Sequence, residues 1–216
     1  MKSPPSPGPA PPPTAPRESP VLLDEWSRPD FRDVYGKLAE ASTRFDVAIR
    51  KVRLSGISLA RTELEGPARI RLLLAEINVL TLSAEAESMA AVDDGRLRLR
   101  LIRGLLSEGV LQLRSAPLGG WDPDFSVFWR DDEGPVVIIG PHWFARPYPH
   151  RGPALASLHR GRAAARVGRR FEGLWTDAHP VEQAVRRVME EALERVPPPP
   201  PSRSHELAGL DPTRAS

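Results

Sequence analysis

With 216 residues, 40% of them apolar, the chain can bury one sizeable core and carry tails, and two full domains would be a tight fit. It has no cysteine, which excludes a disulfide framework, cysteine-ligated zinc and a thiol nucleophile. The formal charge of +2 is too small to identify a partner, and 27 arginines against 3 lysines point to a GC-rich genome rather than to selection for guanidinium chemistry.

Residues 3–20 are half proline, which removes backbone donors and favours extended polyproline II. Residues 1–20 are therefore expected to be a disordered tail. This segment has no apolar signal core, and no stretch reaches the roughly 18 apolar residues of a membrane span, so a soluble cytoplasmic protein is expected. Phe31, Val34, Tyr35, Leu38 and Ala41 then form one helical stripe after Pro29. "RFDVAIRKV" reads as a strand with Phe45, Val47 and Ile49 on one face, and "RIRLLLAEI" as a strand buried on both. The "SGISLARTELEG" between them suits a short crossover helix, which gives a βαβ unit and a parallel pair.

"SAEAESMAAV" reads as a helix capped by Ser83. "DDGRLRLRLIRGLLSEG" is expected to be helical, with Leu97, Leu101, Ile102, Leu105 and Leu106 on its apolar face and an end at Gly109; "VLQLRSAP" follows as a short strand. In "DFSVFWRDDEGPVVIIG" two apolar runs flank Asp131-Asp132-Glu133-Gly134, the composition of a hairpin turn. Ala164, Val167, Phe171, Leu174 and Trp175 share a face of the next helix, and Val181, Val185, Val188, Ala192 and Val196 a face of the last, with Pro180 preset for its first turn. Five prolines at 197–201 stop that helix and open a second disordered tail over 197–216. The expected fold is one α/β domain over 21–196, a mixed sheet flanked by helices.

The order strand, helix, strand, helix, "GVLQLRS", a hairpin ending in "VVIIG", and a helix ending in "RRFEGLW" resembles the phospholipase D-like superfamily over roughly 45–178. In that family one strand carries H-x-K, an Asp lies five positions after the Lys, the next strand ends in Gly-Ser-x-Asn, and a closing helix often ends in a Phe-x-x-x-Trp-like pair. Phe171 and Trp175 match the closing pair, Gly140 matches the turn glycine, and Asp131 matches the Asp if Asp124 stands in the His position.

The departures bear on chemistry. The family's His attacks phosphorus while Lys and Asn hold the phosphate oxygens. The residues two after each histidine here are Phe144, Gly152, Gly161, Val181 and Leu207, and no lysine follows Lys51. Asp124 stands for the His and Ser126 for the Lys, while Pro141 and Trp143 of "GPHW" supply neither hydroxyl nor amide. The resemblance thus implies a catalytically degenerate member, a binding or assembly component of a bacterial complex, with no cofactor. Single-motif members commonly pair two copies, so it also implies a homodimer or an active paralogue as partner, and the proline-rich tails suit a larger assembly.

Two alternatives stand beside this reading. His142 and His150 could serve a residual phosphodiesterase or nuclease as nucleophile or general base, although sequence supplies no acidic orienter and a histidine in a proline-stiffened loop is the plainer account. Residues 146–171 hold Arg146, Arg151, Arg160, Arg162, Arg166, Arg169 and Arg170 with no acid, a patch that could hold DNA or RNA, with Trp143, Phe144 and Tyr148 as a stacking platform. The plainer account there is a solvated helix face. No metal is expected, because the histidines at 142, 150 and 159 lack helical ligand spacing. "GISLA" around Ser58 lacks the second glycine of a nucleophile elbow.

Overall fold

The computed structural model describes residues 19–24, 31–59, 69–116, 124–131, 133–140 and 155–198. Most of both proline-rich tails and the whole of 141–154 fall outside them. Eight strands form one mixed sheet: β1 (Val21–Asp24), β2 (Arg44–Lys51), β3 (Ile70–Glu76), β4 (Leu111–Ser115), β5 (Phe125–Trp129), β6 (Val136–Ile139), β7 (Leu155–His159) and β8 (His179–Pro180). Their spatial order is β1-β7-β6-β5-β2-β3-β4-β8; β2, β3 and β4 are parallel and every other pairing is antiparallel. The helices are α1 (Phe31–Glu40), α2 (Leu54–Leu59), α3 (Val79–Ala90), α4 (Asp93–Ser107), α5 (Gly161–Asp177) and α6 (Glu182–Arg195). The expected α/β class, the βαβ unit through α2 and the hairpin β5–β6 are all present.

Side chains alternate across a pleated strand, so each strand serves two cores. Phe45, Val47, Ile49, Leu72, Leu74 and Phe128 face the side covered by α1, α2, α3, α4 and α6. Ala48, Leu73, Val127 and Val137 face the other side, where α5 packs with Ala164, Phe171 and Trp175. That second cover explains why β2 is buried continuously from Phe45 to Ile49 and not on one face alone. On the thicker side Tyr35 meets Phe45 and Phe128 edge-on at 5.6 and 4.9 Å, a geometry that aligns ring edges with ring faces. No helix among the described residues is long and apolar enough to cross a membrane.

Several local expectations are corrected. The cap of α3 is Asn78 and not Ser83: Asn78 is extended, its Oδ1 accepts the Thr81 N–H at 3.0 Å, and the helix starts four residues before Ser83 at Val79. Val79 and Leu80 are exposed, so the first turn carries no apolar periodicity to reveal it. The buried stripe of α4 is Gly95, Leu99, Ile102 and Leu106, whereas Leu97 is 62% exposed. Gly95 explains the rotation, since a Cβ there would lie 2.1 Å from the Met89 carbonyl oxygen; the bare backbone lets this face of α4 abut the end of α3. Pro180 pairs with Arg114 in β8 rather than opening α6, which begins two residues later. The edge strand β1 and its neighbour β7 have no counterpart in the expected elements; each is short, and Val21, Leu22 and Leu155 are exposed.

The rotated stripe has a measurable consequence. Leu99→Ala is expected to lower unfolding free energy by about 2–5 kcal/mol in urea denaturation, and Leu97→Ala to change it by no more than about 0.5 kcal/mol. The expected apolar face has the reverse, with Leu97 on it and Leu99 off it.

Candidate functional site

The hairpin positions its root by backbone pairing. Phe125 lies opposite Ile139, and one step further out the Gly140 N–H donates to the Asp124 carbonyl at 2.9 Å. Asp124 and Gly140, the two residues matched to the family's His and turn glycine, are therefore neighbours across the ladder. The Asp124 carboxylate also accepts the Arg50 backbone N–H at 3.0 Å, fastening the hairpin root to the carboxyl end of β2. Gly140 has φ of 150°, and a Cβ on it would lie 2.7 Å from the Ala156 Cβ and 2.9 Å from its Cα. Only glycine fits both the dihedral and the approach of β7.

Ser126 turns into the thicker core. It is 2% exposed, and its hydroxyl shares a 2.7 Å hydrogen bond with the Tyr35 hydroxyl of α1. Asp131 lies at the opposite end of β5, exposed in the turn, where Thr43 Oγ1 donates to its Oδ1 at 3.3 Å. In the same turn Glu133 pairs with Arg130 and stands 4.0 Å from Arg160. The structure thus gathers Asp124 and Gly140 and separates Ser126 and Asp131 from them. Pro141, His142, Trp143, Arg146, His150 and Arg151 lie outside the described residues. His159, in β7, is 2.8 Å from the Ser157 hydroxyl through Nε2.

Arg162, Arg166, Arg169 and Arg170 are all exposed on α5, and Arg160 is exposed just before its first residue. The inward face of the same helix carries a charge cluster that sequence reasoning did not find. Asp46 of β2 and Arg71 of β3 are register partners. Arg71 clasps Asp46 with Nε to Oδ1 at 2.7 Å and Nη2 to Oδ2 at 2.6 Å, a two-pronged match of guanidinium and carboxylate. Its other edge donates to both carboxylate oxygens of Glu172 on α5, at 3.1 and 2.8 Å. Arg44 reaches Glu172 at 2.5 Å, and Trp129 Nε1 donates to Asp46 Oδ2 at 2.5 Å. Phe171 and Trp175 hold their ring faces 5.0 and 4.9 Å from the Arg71 guanidinium carbon, within cation–π range.

Two cations and two carboxylates make this cluster neutral. Burial pushes the Asp46 carboxyl above its ordinary value against the pull of Arg71, Arg44 and the Trp129 N–H. Burial also opposes the charge on Arg71, but its hydrogen bonds to Asp46 and Glu172 outweigh that, and its pKa lies above the usual arginine value. The Arg71 hydrogen bonds hold Glu172 below the ordinary carboxylate range. Apart from Arg44 Nε, which is buried without a hydrogen bond 3.3 Å from Asp46 Oδ2, the polar atoms of the cluster engage one another and clamp α5 to the sheet. A signal for it was present: Asp46 and Arg71 are charges set within apolar strand runs, and such charges occur inside only when paired.

No family model and no curated protein sequence matches this chain. Solved structures that it is similar to include Nuc from Salmonella typhimurium, a phospholipase D family member, at 12% identity and a TM-score of 0.43, covering 75% of this chain and 98% of that one. NucT from Helicobacter pylori has 11% identity, a TM-score of 0.43 and the same coverages. Phosphatidylserine synthase from Haemophilus influenzae has 10% identity and a TM-score of 0.45, covering 82% of this chain and 45% of that one.

The clamp yields two expected outcomes. Arg71→Leu strands a buried carboxylate and is expected to cost about 3–5 kcal/mol, while Asp46→Leu combined with Arg71→Leu costs less than Arg71→Leu alone, read from denaturant midpoints. For pH, the folded pKa of Glu172 lies below its ordinary 4.5, so its stabilisation is present above that value and is lost as pH falls through the folded pKa. Asp46 works the other way: its raised folded pKa gives a contribution present below 3.8 and lost as pH rises through the folded value. The stability gap between wild type and Glu172→Gln is therefore expected to be widest above pH 4.5 and to close on acidification.

Proposed function

We propose that this chain is a phospholipase D-like module without catalytic activity, serving as a binding or assembly component of a bacterial complex. The observation that carries the reading is the engagement of the motif-matched side chains. Ser126, matched to the lysine, is buried in a hydrogen bond to Tyr35, and the Asp124 carboxylate is taken by the Arg50 N–H. Attack on phosphorus needs a nitrogen nucleophile with cations at the phosphate oxygens. A carboxylate at the first position repels the phosphodiester, and a sequestered hydroxyl at the second supplies no charge. A second copy of this chain or an active paralogue is the partner the family resemblance implies.

A second reading is supported by the exposed arginines of α5. Arg162, Arg166, Arg169 and Arg170 project from the helix side opposite the clamp, and such a row suits a nucleic acid backbone, with affinity falling steeply in salt. Arg160, exposed just before the helix, would extend it; Arg146 and Arg151, also expected in this patch, lie outside the described residues.

Incubation of the full chain with bis(p-nitrophenyl) phosphate and with end-labelled single-stranded DNA tests both readings. No turnover above buffer and no acid-stable or base-stable phosphoprotein are expected. Turnover that disappears in His142→Ala or His150→Ala would establish a residual phosphodiesterase and overturn the non-catalytic reading. In a binding titration at rising salt, unchanged DNA affinity after joint replacement of Arg162, Arg166 and Arg169 by Gln removes the nucleic-acid reading.

A further inference from the structure

The carboxyl ends of β2 and β3 open onto a cavity of about 100 Å³ lined by Lys51, Val52, Arg53, Glu76, Asn78, Thr81 and Leu82. That volume is several times the roughly 10–15 Å³ needed to hold one water molecule, so a group of several heavy atoms fits. Crevices beyond the carboxyl ends of parallel strands are a recurrent ligand position in α/β sheets. Its charged lining residues are two cations, Lys51 and Arg53, and one carboxylate, Glu76. Lys51 is 3.5 Å from Glu76, both largely exposed, and that pair is close to neutral. Arg53 is half-buried; its carbonyl accepts the Ile57 N–H at 3.1 Å, while its side chain makes no hydrogen bond or ion pair with any described residue. Glu76 lines the same cavity yet spends its ion pair on Lys51, because the two are register partners at the strand ends.

An arginine that lines a cavity gives up part of its hydration and gains from an acceptor there. The first turn of α3 adds hydroxyl character through Thr81, while the Thr81 N–H is already taken by the Asn78 side chain. We infer that this cavity is a binding site for a small oxyanion group, a phosphate held by the Arg53 fork, with Lys51 as a second cation and Thr81 as a hydrogen-bond donor. The fork presents paired N–H groups at the spacing of two phosphate oxygens, which a point charge such as lysine does not. Glu76 sets the selectivity: its carboxylate holds Lys51 back and disfavours highly charged anions. The site is on the opposite cover of the sheet from the α5 arginines, and it does not depend on the proposed non-catalytic role.

Isothermal titration of the full chain with inorganic phosphate at low ionic strength tests the assignment, with acetate as a second anion. Saturable one-site binding of phosphate is expected, weakened at least tenfold in Arg53→Gln and also weakened in Arg53→Lys, which keeps the charge and loses the fork. Glu76→Gln is expected to tighten binding by releasing Lys51. Replacement of Arg162, Arg166 and Arg169 by Gln is expected to leave it unchanged, which separates this site from the helix surface. Absence of saturable binding, equal affinity in wild type and both Arg53 variants, or loss only with the α5 arginines would overturn the proposal. Should Arg53→Gln fail to fold by circular dichroism, Arg53→Lys and Glu76→Gln decide it.

Discussion

The pairing of Asp46 with Arg71 is the constraint on which the rest of the sheet depends. These residues face one another across the parallel strands β2 and β3, and five residues further along the same register sets Lys51 against Glu76. The two pairs have opposite polarity along the strands and bracket an apolar middle. A slip of one residue would set Asp46 beside Ile70 or Leu72 and strand the Arg71 guanidinium in the core. Apolar runs alone specify register weakly when a strand is buried on both faces, because every shift still buries hydrocarbon. A buried charge pair removes that degeneracy, and it does so at little net gain in stability, since desolvation offsets most of the Coulomb attraction.

The same pair determines how the thinner side of the sheet is closed. Five helices cover one face and α5 alone covers the other among the described residues. A single helix must be located both along and across the sheet, and apolar packing by Ala164, Phe171 and Trp175 leaves it free to slide. Glu172 supplies the missing direction by reaching down to Arg71 and Arg44 between the two aromatic residues. Arg114 on β4 completes the fit, donating to the Trp175 carbonyl at 2.8 Å while its guanidinium lies 4.9 Å from the Trp175 ring. With its inner face committed in this way, the helix presents its arginines outward at a fixed angle to the sheet.

What sequence could reveal followed from how strongly each element repeats. The βαβ unit, the β5–β6 hairpin and the apolar face of α5 were legible because burial imposes a period of 2 or 3.6 on many residues at once. Strands β1 and β7 were not, because four or five residues with exposed Val21, Leu22 and Leu155 carry no such period. The face of α4 was misjudged because Leu occurs on nearly every side of that helix, and the deciding residue, Gly95, acts through a missing side chain. The motif-matched residues split similarly. Opposition of Asp124 and Gly140 follows from hairpin geometry, whereas burial of Ser126 depends on Tyr35, 91 residues away in sequence. The charge clamp was visible only as two unexplained charges in apolar runs, since nothing local says that Asp46, Arg71 and Glu172 meet.

Arg53 is informative because it obeys neither rule. Arg71 is buried and fully partnered, and Lys51 is exposed and paired; each is where a register or a helix contact provides a carboxylate. Arg53 lies two residues beyond the end of β2, past the last register pair, so no strand neighbour is available to neutralise it. Arg53 nevertheless lines the cavity at the strand ends and is partly buried there. Partial burial with no side-chain acceptor among the described residues costs hydration that a bound anion would restore. The contrast between the two arginines, one consumed by the clamp and one without a side-chain partner among the described residues, separates the part of this molecule that holds the sheet together from the part for which binding is proposed.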